Sequence, residues 1–473
     1  MEDLAKRCER LEAQVAALLA TVAVLQAENR ELKLRLAQNS KNSSKPPSSD
    51  LHQPKRKPPV ASSGRHAGGQ PGHAGKAREL VPIEQVSEVV DRDPEACANC
   101  GTALQDAPRM DAMIRQVVET PEFEAFVKQV QLWRKRCPKC GGFTRGQMPP
   151  GSPKGVFGPR IQARVALLSG RYRLTRREVR AMTKDLFNIE ISLGSVQACC
   201  ESASAAMAPA FADLHAQIQA APSVHADETG FGRCGLSRMW LWVAAATEIE
   251  VFRLLPGRGG AQLKDLLGED FAGNLHHDRW KPYEQLEQAR HQICWSHLRR
   301  DLQAMLETLG ETGVQGAMLK LASDAAFHHW HACEDGVIDR PELTRRMKPI
   351  RAEIEQRLAQ IRDGDEKAFT KKARGSAGDI LRLKHALWAY IDHEGVTPTN
   401  NDAERALRKA VLWRKGSFGA NSEAGCRFVE RMLTITGTAR RQGLDVLAWI
   451  TQAIQAELDG DPLTQLRVLA SPQ

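Results

Sequence analysis

The chain has 473 residues, with 66 Lys and Arg against 57 Asp and Glu, a formal charge of +9 and a sequence pI near 9.0. That length allows roughly two to four domains, and the basic balance suits a polyanionic partner or plain solubility charge. No apolar run approaches the roughly 18 residues of a membrane span, Met-Glu-Asp-Leu does not open a secretory signal, and eleven scattered cysteines form no disulfide framework, so a reducing, cytoplasmic setting without a membrane partner is expected.

Leu4, Leu11, Leu18, Leu25 and Leu32 recur every seven residues. With these at heptad position d, position a holds Cys8, Val15, Val22, Asn29 and Leu36. β-Branched a residues with Leu at d favour two parallel strands, and one buried Asn fixes register. Arg7 would face Glu12 across the pair, and Glu28 would face Lys33. Residues 1–38 are therefore expected to form a dimerising coiled coil, the alternative being one amphipathic helix on the chain's own core.

Residues 39–80 change character. N-S-K-N-S-S-K-P-P-S-S-D, K-R-K-P-P and G-R-H-A-G-G-Q-P-G-H-A-G-K bring eight Lys or Arg against one Asp over 39–78. Such a stretch cannot bury a core and reads as a basic flexible linker that touches phosphates, or as a solvated spacer. Over 81–150, Cys97-Ala-Asn-Cys100-Gly and Cys137-Pro-Lys-Cys140-Gly each set two thiols on a tight turn. Two such turns supply the closed four-cysteine set of structural Zn²⁺ in a zinc ribbon-like domain, the alternative being two pairs that never meet. The alternating segment from Ile114 to Arg136 reads as a β-hairpin turning at Thr120-Pro121. A four-cysteine site has no open position, so its role would be folding and DNA contact.

Residues 155–222 carry helical periodicity. Thr175-Arg176-Arg177-Glu178 has a capping-box form and opens a helix to about Phe187; residues 188–192 read as a turn, and a second helix starts near Leu193. With Arg171, Arg173, Arg176, Arg177 and Arg180 on it, the pair is similar to a DNA-binding helix-turn-helix, though an ordinary packed hairpin has the same pattern. From Val224, three strand-like runs (S-V-H-A-D-E-T, R-M-W-L-W-V-A-A-A-T, I-E-V-F-R-L-L-P) suggest an antiparallel meander. An amphipathic stretch over 260–270 follows, and F-A-G-N-L-H-H-D ends a fourth strand on Asp278. A helix is expected around 290–302. About ninety residues of helical pattern then lead to T-P-T-N-N-D-A-E-R-A-L-R.

Three acids stand out: Asp227 in H-A-D-E-T-G-F, Asp278 in L-H-H-D-R-W-K-P-Y and Glu404 in N-N-D-A-E-R. Two acids ending strand-like stretches and one on a late helix can converge on Mg²⁺ or Mn²⁺, which prefer carboxylate oxygens and keep positions open for phosphate and water. Glu228 should face away from Asp227, because adjacent strand residues point to opposite sides. Asp402 lies about 200° around the helix from Glu404 and reads as a surface or capping group. Cys294 and His297 form a Cys-x-x-His, a weak metal motif or a buried thiol and histidine supporting the site. Arg405, Arg408 and Lys409, with Arg414 and Lys415 beyond, could hold phosphates beside the metals or form a solvated face.

Taken in order, the zipper, N-S-K-N-S-S-K-P-P-S-S-D, G-G-Q-P-G-H, the paired cysteine knuckles, H-A-D-E-T-G, C-W-S-H-L-R-R and N-N-D-A-E-R-A-L-R with G-S-F-G-A-N-S-E-A-G resemble the large transposase of insertion-sequence family sixty-six. The resemblance covers nearly the whole chain. It implies a multidomain α+β protein whose ribonuclease-H-like DDE core spans 223–455, with a helical insertion at about 300–395 and a tail over 456–473. It implies catalytic, Mg²⁺-binding Asp227, Asp278 and Glu404, element-end and target DNA as partners, and a homodimer or higher assembly through the zipper. It also implies accessory proteins from the same element and a bacterial, nucleoid-associated location. One departure is visible: relatives usually place Gly and an aromatic after the second Asp, whereas Arg279 and Trp280 follow Asp278 here. Trp280 keeps the aromatic, and Tyr283 keeps a second ring. The expected activity is metal-dependent DNA cleavage and strand transfer. A ribonuclease-H-like nuclease that never joins strands, or a catalytically silent DNA-binding regulator, are the alternatives.

Overall fold

The computed structural model describes residues 79–120, 122–232, 238–417 and 419–466, with isolated positions between 25 and 45. Two compact units emerge, one of residues 54–124 and one holding the remainder. In the smaller, Arg109 reaches Asp91 and Asp93 (3.0 and 2.5 Å), and the Gln116 amide both donates to and accepts from the Val81 backbone at 2.8 Å. Its Cys97–Cys100 turn closes with Gly101 N–H on Cys97 O (2.8 Å) and Cys97 N–H on Thr102 O (2.8 Å). Gly101 has φ 78°, a left-handed conformation that glycine adopts without a Cβ penalty.

The larger unit repeats that knuckle between strands β1 (Arg134–Arg136) and β2 (Phe143–Arg145), which pair antiparallel. Gly141 N–H reaches Cys137 O at 3.0 Å, again with a left-handed glycine (φ 72°). The hairpin expected over 114–136 does not form: no strand occurs among the described residues there before β1. Val117 and Val118 are both exposed, as are Phe126 and Val127. Alternation lends a segment sidedness, but with no face buried nothing holds two strands in register. Of the heptad, Leu25 and Leu32 are helical and 56% exposed, and Glu28, Asn29 and Lys33 are helical and exposed. Leu4, Leu11 and Leu18 and the a positions Cys8, Val15, Val22 and Leu36 lie outside the described residues.

Four helices follow: α1 (Pro159–Ser169), α2 (Arg176–Phe187), α3 (Leu193–Ala206) and α4 (Ala208–Gln219). The Thr175–Glu178 capping box forms, with Glu178 N–H on Thr175 Oγ1 at 3.2 Å and Thr175 N–H on Glu178 Oε2 at 2.7 Å. Asn188, left-handed at φ 49°, ends α2, and Ser192 caps α3. Val165, Val179, Ile191, Val196, Cys199 and Cys200 bind α1–α3 together.

A five-stranded sheet follows, ordered β5-β4-β3-β6-β7, from β3 (Ser223–Phe231), β4 (Met239–Ala245), β5 (Glu250–Leu255), β6 (Asn274–His277) and β7 (Arg290–Ile293). β3, β4 and β5 run antiparallel in sequence; β6 joins β3, and β7 joins β6, in parallel. Helix α5 (Gly260–Leu267) lies between β5 and β6. Residues 290–302 are thus not one helix: β7 precedes α6 (Trp295–Leu306). Arg-His-Gln-Ile carries no apolar alternation, and what holds it is ladder pairing plus buried Gln292, which accepts the Tyr390 N–H at 2.8 Å.

Helices α6, α7 (Glu311–Glu334), α8 (Arg340–Asp363), α9 (Lys371–Arg382) and α10 (Ala389–Asp392) close over a core of their own spanning 293–396, centred on Trp295, Trp388 and Tyr390. The chain then returns to the sheet through α11 (Asn401–Ser417), α12 (Glu423–Arg441) and α13 (Val446–Asp459). These pack with α1, α3, α4 and the sheet in the main apolar core. Thirteen α-helices and two sheets among the described residues make the fold mixed α+β.

Helix α12 seals the β5 edge. Glu250, Phe252 and Leu254 N–H donate to Thr438 Oγ1 (3.1 Å), Thr434 Oγ1 (2.9 Å) and Glu430 Oε1 (2.6 Å). Four helical residues rise about 6.0 Å and two strand residues about 6.6 Å, so steps of four on α12 match steps of two on β5. A Cβ at Gly437 would overlap the Glu250 carboxylate, so glycine permits the approach. Thr434→Val, near-isosteric, strands the buried Phe252 N–H. A loss of about 1–3 kcal/mol is expected, read as a lower urea midpoint; an unchanged midpoint would refute the edge-sealing role.

Candidate active site

The parallel ladder sets the site. His225 on β3 pairs with His276 on β6, and His277 on β6 with Ile293 on β7. Asp227, within β3, and Asp278, the residue after β6, each lie two residues beyond the first pair, a spacing that returns an extended chain's side chain to the same face. One residue beyond the second, Cys294 follows β7. Asp278 and Cys294 thus follow the carboxyl ends of β6 and β7, where ligands of open α/β sheets collect, and Asp227 lies within the neighbouring β3.

Helix α11 reaches these residues through Asn400, which is buried. Its Nδ2 donates to Ala226 O on β3 (2.7 Å), and its N–H donates to Cys294 Sγ (3.2 Å). Trp295 N–H donates to Pro398 O at 2.9 Å, and Ser296 Oγ to Asn401 Oδ1 at 3.2 Å. The start of α11 is therefore fastened to both β3 and α6, and Glu404 projects from its first turn. The Asn-Asn of N-N-D-A-E was available as a signal: short amides before a helix bond backbone groups across a junction.

Electrostatics tie the three acids together. Burial, then the adjacent Glu228 carboxylate, with Asp278 and Glu404 adding, push Asp227 well above the ordinary carboxylate range; the Glu228 N–H on Asp227 Oδ1 (2.8 Å) opposes this. Burial also raises Glu404, with Asp278 adding and Arg300 opposing. Asp278 Oδ1 accepts the Trp280 N–H at 2.8 Å. Among the described residues, the group of three whose ligand atoms all lie within 4.8 Å is Cys294, His297 and Glu404, so Glu404 here leans toward the histidine. The three carboxylates suit a hard divalent cation, whose charge would relieve their mutual repulsion.

Behind the acids, Glu228 faces the core: Arg258 Nε and Tyr283 OH each donate to it at 2.5 Å. Arg258 lies over the Trp280 ring at 4.1 Å, and Trp280 Nε1 donates to Arg258 O at 3.1 Å. Arg279, the departure after Asp278, bonds Asp301 on α6. His225 and His276 stack at 3.9 Å on the face of the acids, and burial depresses both, His225 to about 4. Asp402 pairs with Arg441 at 2.9 and 3.1 Å, away from the three acids.

The candidate DNA contacts divide. Arg176, Arg177 and Arg180 are exposed on α2; Arg177 and Arg180 line a groove of about 790 Å³ running to Leu193 on α3. Arg405 and Arg408 are exposed on α11, whereas Lys409 reaches buried Glu250 at 2.8 Å. Arg414 bonds Thr229 at 3.2 Å. Sequence reasoning left out a cleft of about 410 Å³ beside Glu404, lined by Arg279, His297, Arg300, Asp301 and Lys372, with Ser44 and Ala304. The signal for Arg300 was already in C-W-S-H-L-R-R, a second arginine one turn beyond the histidine.

The chain is a transposase: residues 154–427, more than half its length and including all three acids, match the model of a transposase family. It belongs to that family, the Transposase IS66 family. Residues 2–79 match a family of unknown function. The chain is similar to two Sinorhizobium fredii proteins. "Uncharacterized protein y4hP" is 23% identical over 419 residues, 80% of this chain and 73% of that one. "Uncharacterized protein y4qI" is 23% identical over 295 residues, 54% of this chain and 51% of that one. Among the described residues, no helix is long and apolar enough to cross a membrane.

Asp227→Asn tests the crowding. A carboxyl raised in the fold destabilises it as pH climbs above the unfolded value of about 3.9, and contributes nothing below it. Without divalent metal, the variant should therefore melt above wild type at pH 7, and the gain should vanish as pH falls below about 4. Equal melting temperatures at both pH values would contradict the coupling.

Proposed function

We propose that this transposase cuts and rejoins DNA at a site formed by Asp227, Asp278 and Glu404 on a ribonuclease-H-like sheet. The observation that carries the reading is the electrostatic coupling of the three acids, Asp227 with Asp278 and Glu404 and Glu404 with Asp278, next to the parallel pairing of β3 and β6. Three antiparallel strands followed by two parallel ones, with β3 central, support the ribonuclease-H-like assignment. The three carboxylates would hold Mg²⁺ or Mn²⁺, which supply Lewis acidity at the phosphate and lower the pKa of an attacking hydroxyl.

The chain's own groups would do the rest. Arg279, Arg300 and Lys372 line the cleft beside Glu404 and would seat backbone phosphates; Arg405 and Arg408 would extend that track along α11. Water would attack the phosphodiester at the element end, forming one P–O bond and breaking another to free a 3′-hydroxyl. That hydroxyl would attack a target phosphodiester, joining the strands and expelling a target 3′-oxygen. Asn400 and the Glu228–Arg258–Tyr283 group would hold the acids in place; Cys294, His297 and Trp280 frame them. Arg176, Arg177 and Arg180 would contact element-end DNA through α2 and α3. Cys97, Cys100, Cys137 and Cys140 would be ligands of structural Zn²⁺, and the N-terminal heptads would pair two chains. The domains would be zipper 1–38, linker 39–80, zinc-binding 81–150, helical 155–222, core 223–455 with a helical insertion at about 300–395, and tail 456–473.

Two measurements test this. Asp227→Asn, Asp278→Asn and Glu404→Gln should each lower Mg²⁺-dependent cleavage of element-end DNA by about a thousandfold or more, since metal catalysis supplies several kcal/mol. Binding should persist in a gel-shift assay. Cleavage surviving in any of the three removes that residue from the site, and wild type that binds element-end DNA without cutting it would be a DNA-binding regulator. Arg177→Ala and Arg180→Ala should each flatten the slope of log affinity against log salt by about 0.9; an unchanged slope would show that α2 does not touch phosphate.

A further inference from the structure

We propose that Cys294, His297 and Glu404 form a second metal site, one that takes a borderline transition ion such as Zn²⁺ and withdraws Glu404 from the aspartates. The binding stands on the geometry alone; the competition rests on the catalytic reading above.

Three observations carry it. Cys294 Sγ, a His297 ring nitrogen and a Glu404 oxygen all lie within 4.8 Å of one another, and neither Asp227 nor Asp278 belongs to the group. His297 Nδ1 and Glu404 Oε1 are 3.6 Å apart. That is too long for a hydrogen bond, but close to the about 3.4 Å between two ligands bonded at about 2.1 Å to a tetrahedral ion. His297 Nδ1 is itself buried and has no hydrogen-bond partner among the described residues. Buried polar atoms are rarely left so, and an orphaned imidazole nitrogen facing a carboxylate and a thiol is an arrangement that a metal ion would complete.

The scaffold fixes the three ligands from different directions. Cys294 ends β7, His297 lies three residues on in α6, and Glu404 comes from α11, whose first turn is fastened by Asn400. The Asn400 N–H on Cys294 Sγ (3.2 Å) is a donor suited to a metal-bound thiolate. Thiolate and imidazole select zinc-like ions over Mg²⁺, which demands oxygen ligands. Three protein ligands leave a fourth position open. With Glu404 committed here, the aspartates lose their third carboxylate, so the site would act as a brake on Mg²⁺-dependent chemistry.

The test counts zinc. Full-length protein is stripped, reloaded with Zn²⁺, desalted and assayed by elemental analysis. Cys294→Ser and His297→Asn should each retain one Zn²⁺ fewer per chain than wild type, and Asp227→Asn as much as wild type. Cys294 is buried, so His297→Asn, at a side chain 34% exposed, decides the matter if the cysteine variant misfolds. Equal zinc in wild type and His297→Asn would overturn the proposal, as would equal loss in Asp227→Asn. In cleavage assays, Zn²⁺ added to Mg²⁺ should inhibit wild type at least tenfold more than His297→Asn; equal inhibition would overturn the competition. Wild type that cleaves nothing with Mg²⁺, yet holds the extra zinc, would overturn the catalytic reading and leave the site standing.

Discussion

Crowding of like charge at the mouth of the parallel strands governs this structure. Burial denies Asp227 the water that would screen it, and Glu228, Asp278 and Glu404 add to this, so that Asp227 stands well above the ordinary carboxylate range. The groups beneath do not help: the stacked His225 and His276 are held neutral by burial. Arg258, in the inner layer, is already committed to Glu228. Acids placed so need rigid support, because each would otherwise turn toward solvent.

That support comes from three directions. The β3–β6–β7 ladder pairs the residues just before Asp227, Asp278 and Cys294 and so brings the three segments side by side. Asn400 joins the start of α11 to the middle of β3 and to Cys294, so Glu404 arrives from a helix fastened at both. At the far edge, Glu430, Thr434 and Thr438 occupy the outward N–H groups of β5. An open edge there would invite pairing with another chain. The insertion grows from the other edge, on its own core, and brings Lys372 to the cleft beside Glu404 without disturbing the ladder.

Much of this was legible in the sequence where local chemistry decides the outcome. The Thr175–Glu178 capping box and the turn over 188–192 bound α2 and α3 as read, because each rests on contacts between residues close in sequence. Glu228 turned to the core as strand parity requires, and Asp402 stood away from Glu404 as helix geometry requires. What escaped depends on distant partners. β7 is four residues without alternation, held by β6 and by Tyr390 far along the chain. The segment before β1 alternates convincingly yet buries neither face. Lys409 reads as a surface cation until Glu250, 159 residues away, is seen to meet it at 2.8 Å. The Asn400 bridge and the Arg300–Lys372 cleft likewise join segments that no local pattern connects.

The central claim is that these three carboxylates share a divalent cation. The most direct test is an anomalous difference map from crystals of the protein grown with Mn²⁺, an ion of the same hard-ligand preference as Mg²⁺ and visible by its own scattering. The account predicts a peak about 2.2 Å from carboxylate oxygens of Asp227 and Asp278, with Glu404 turned from His297 to join them. A peak confined to other side chains, with Asp227 and Asp278 bare in crystals saturated with Mn²⁺, would contradict it.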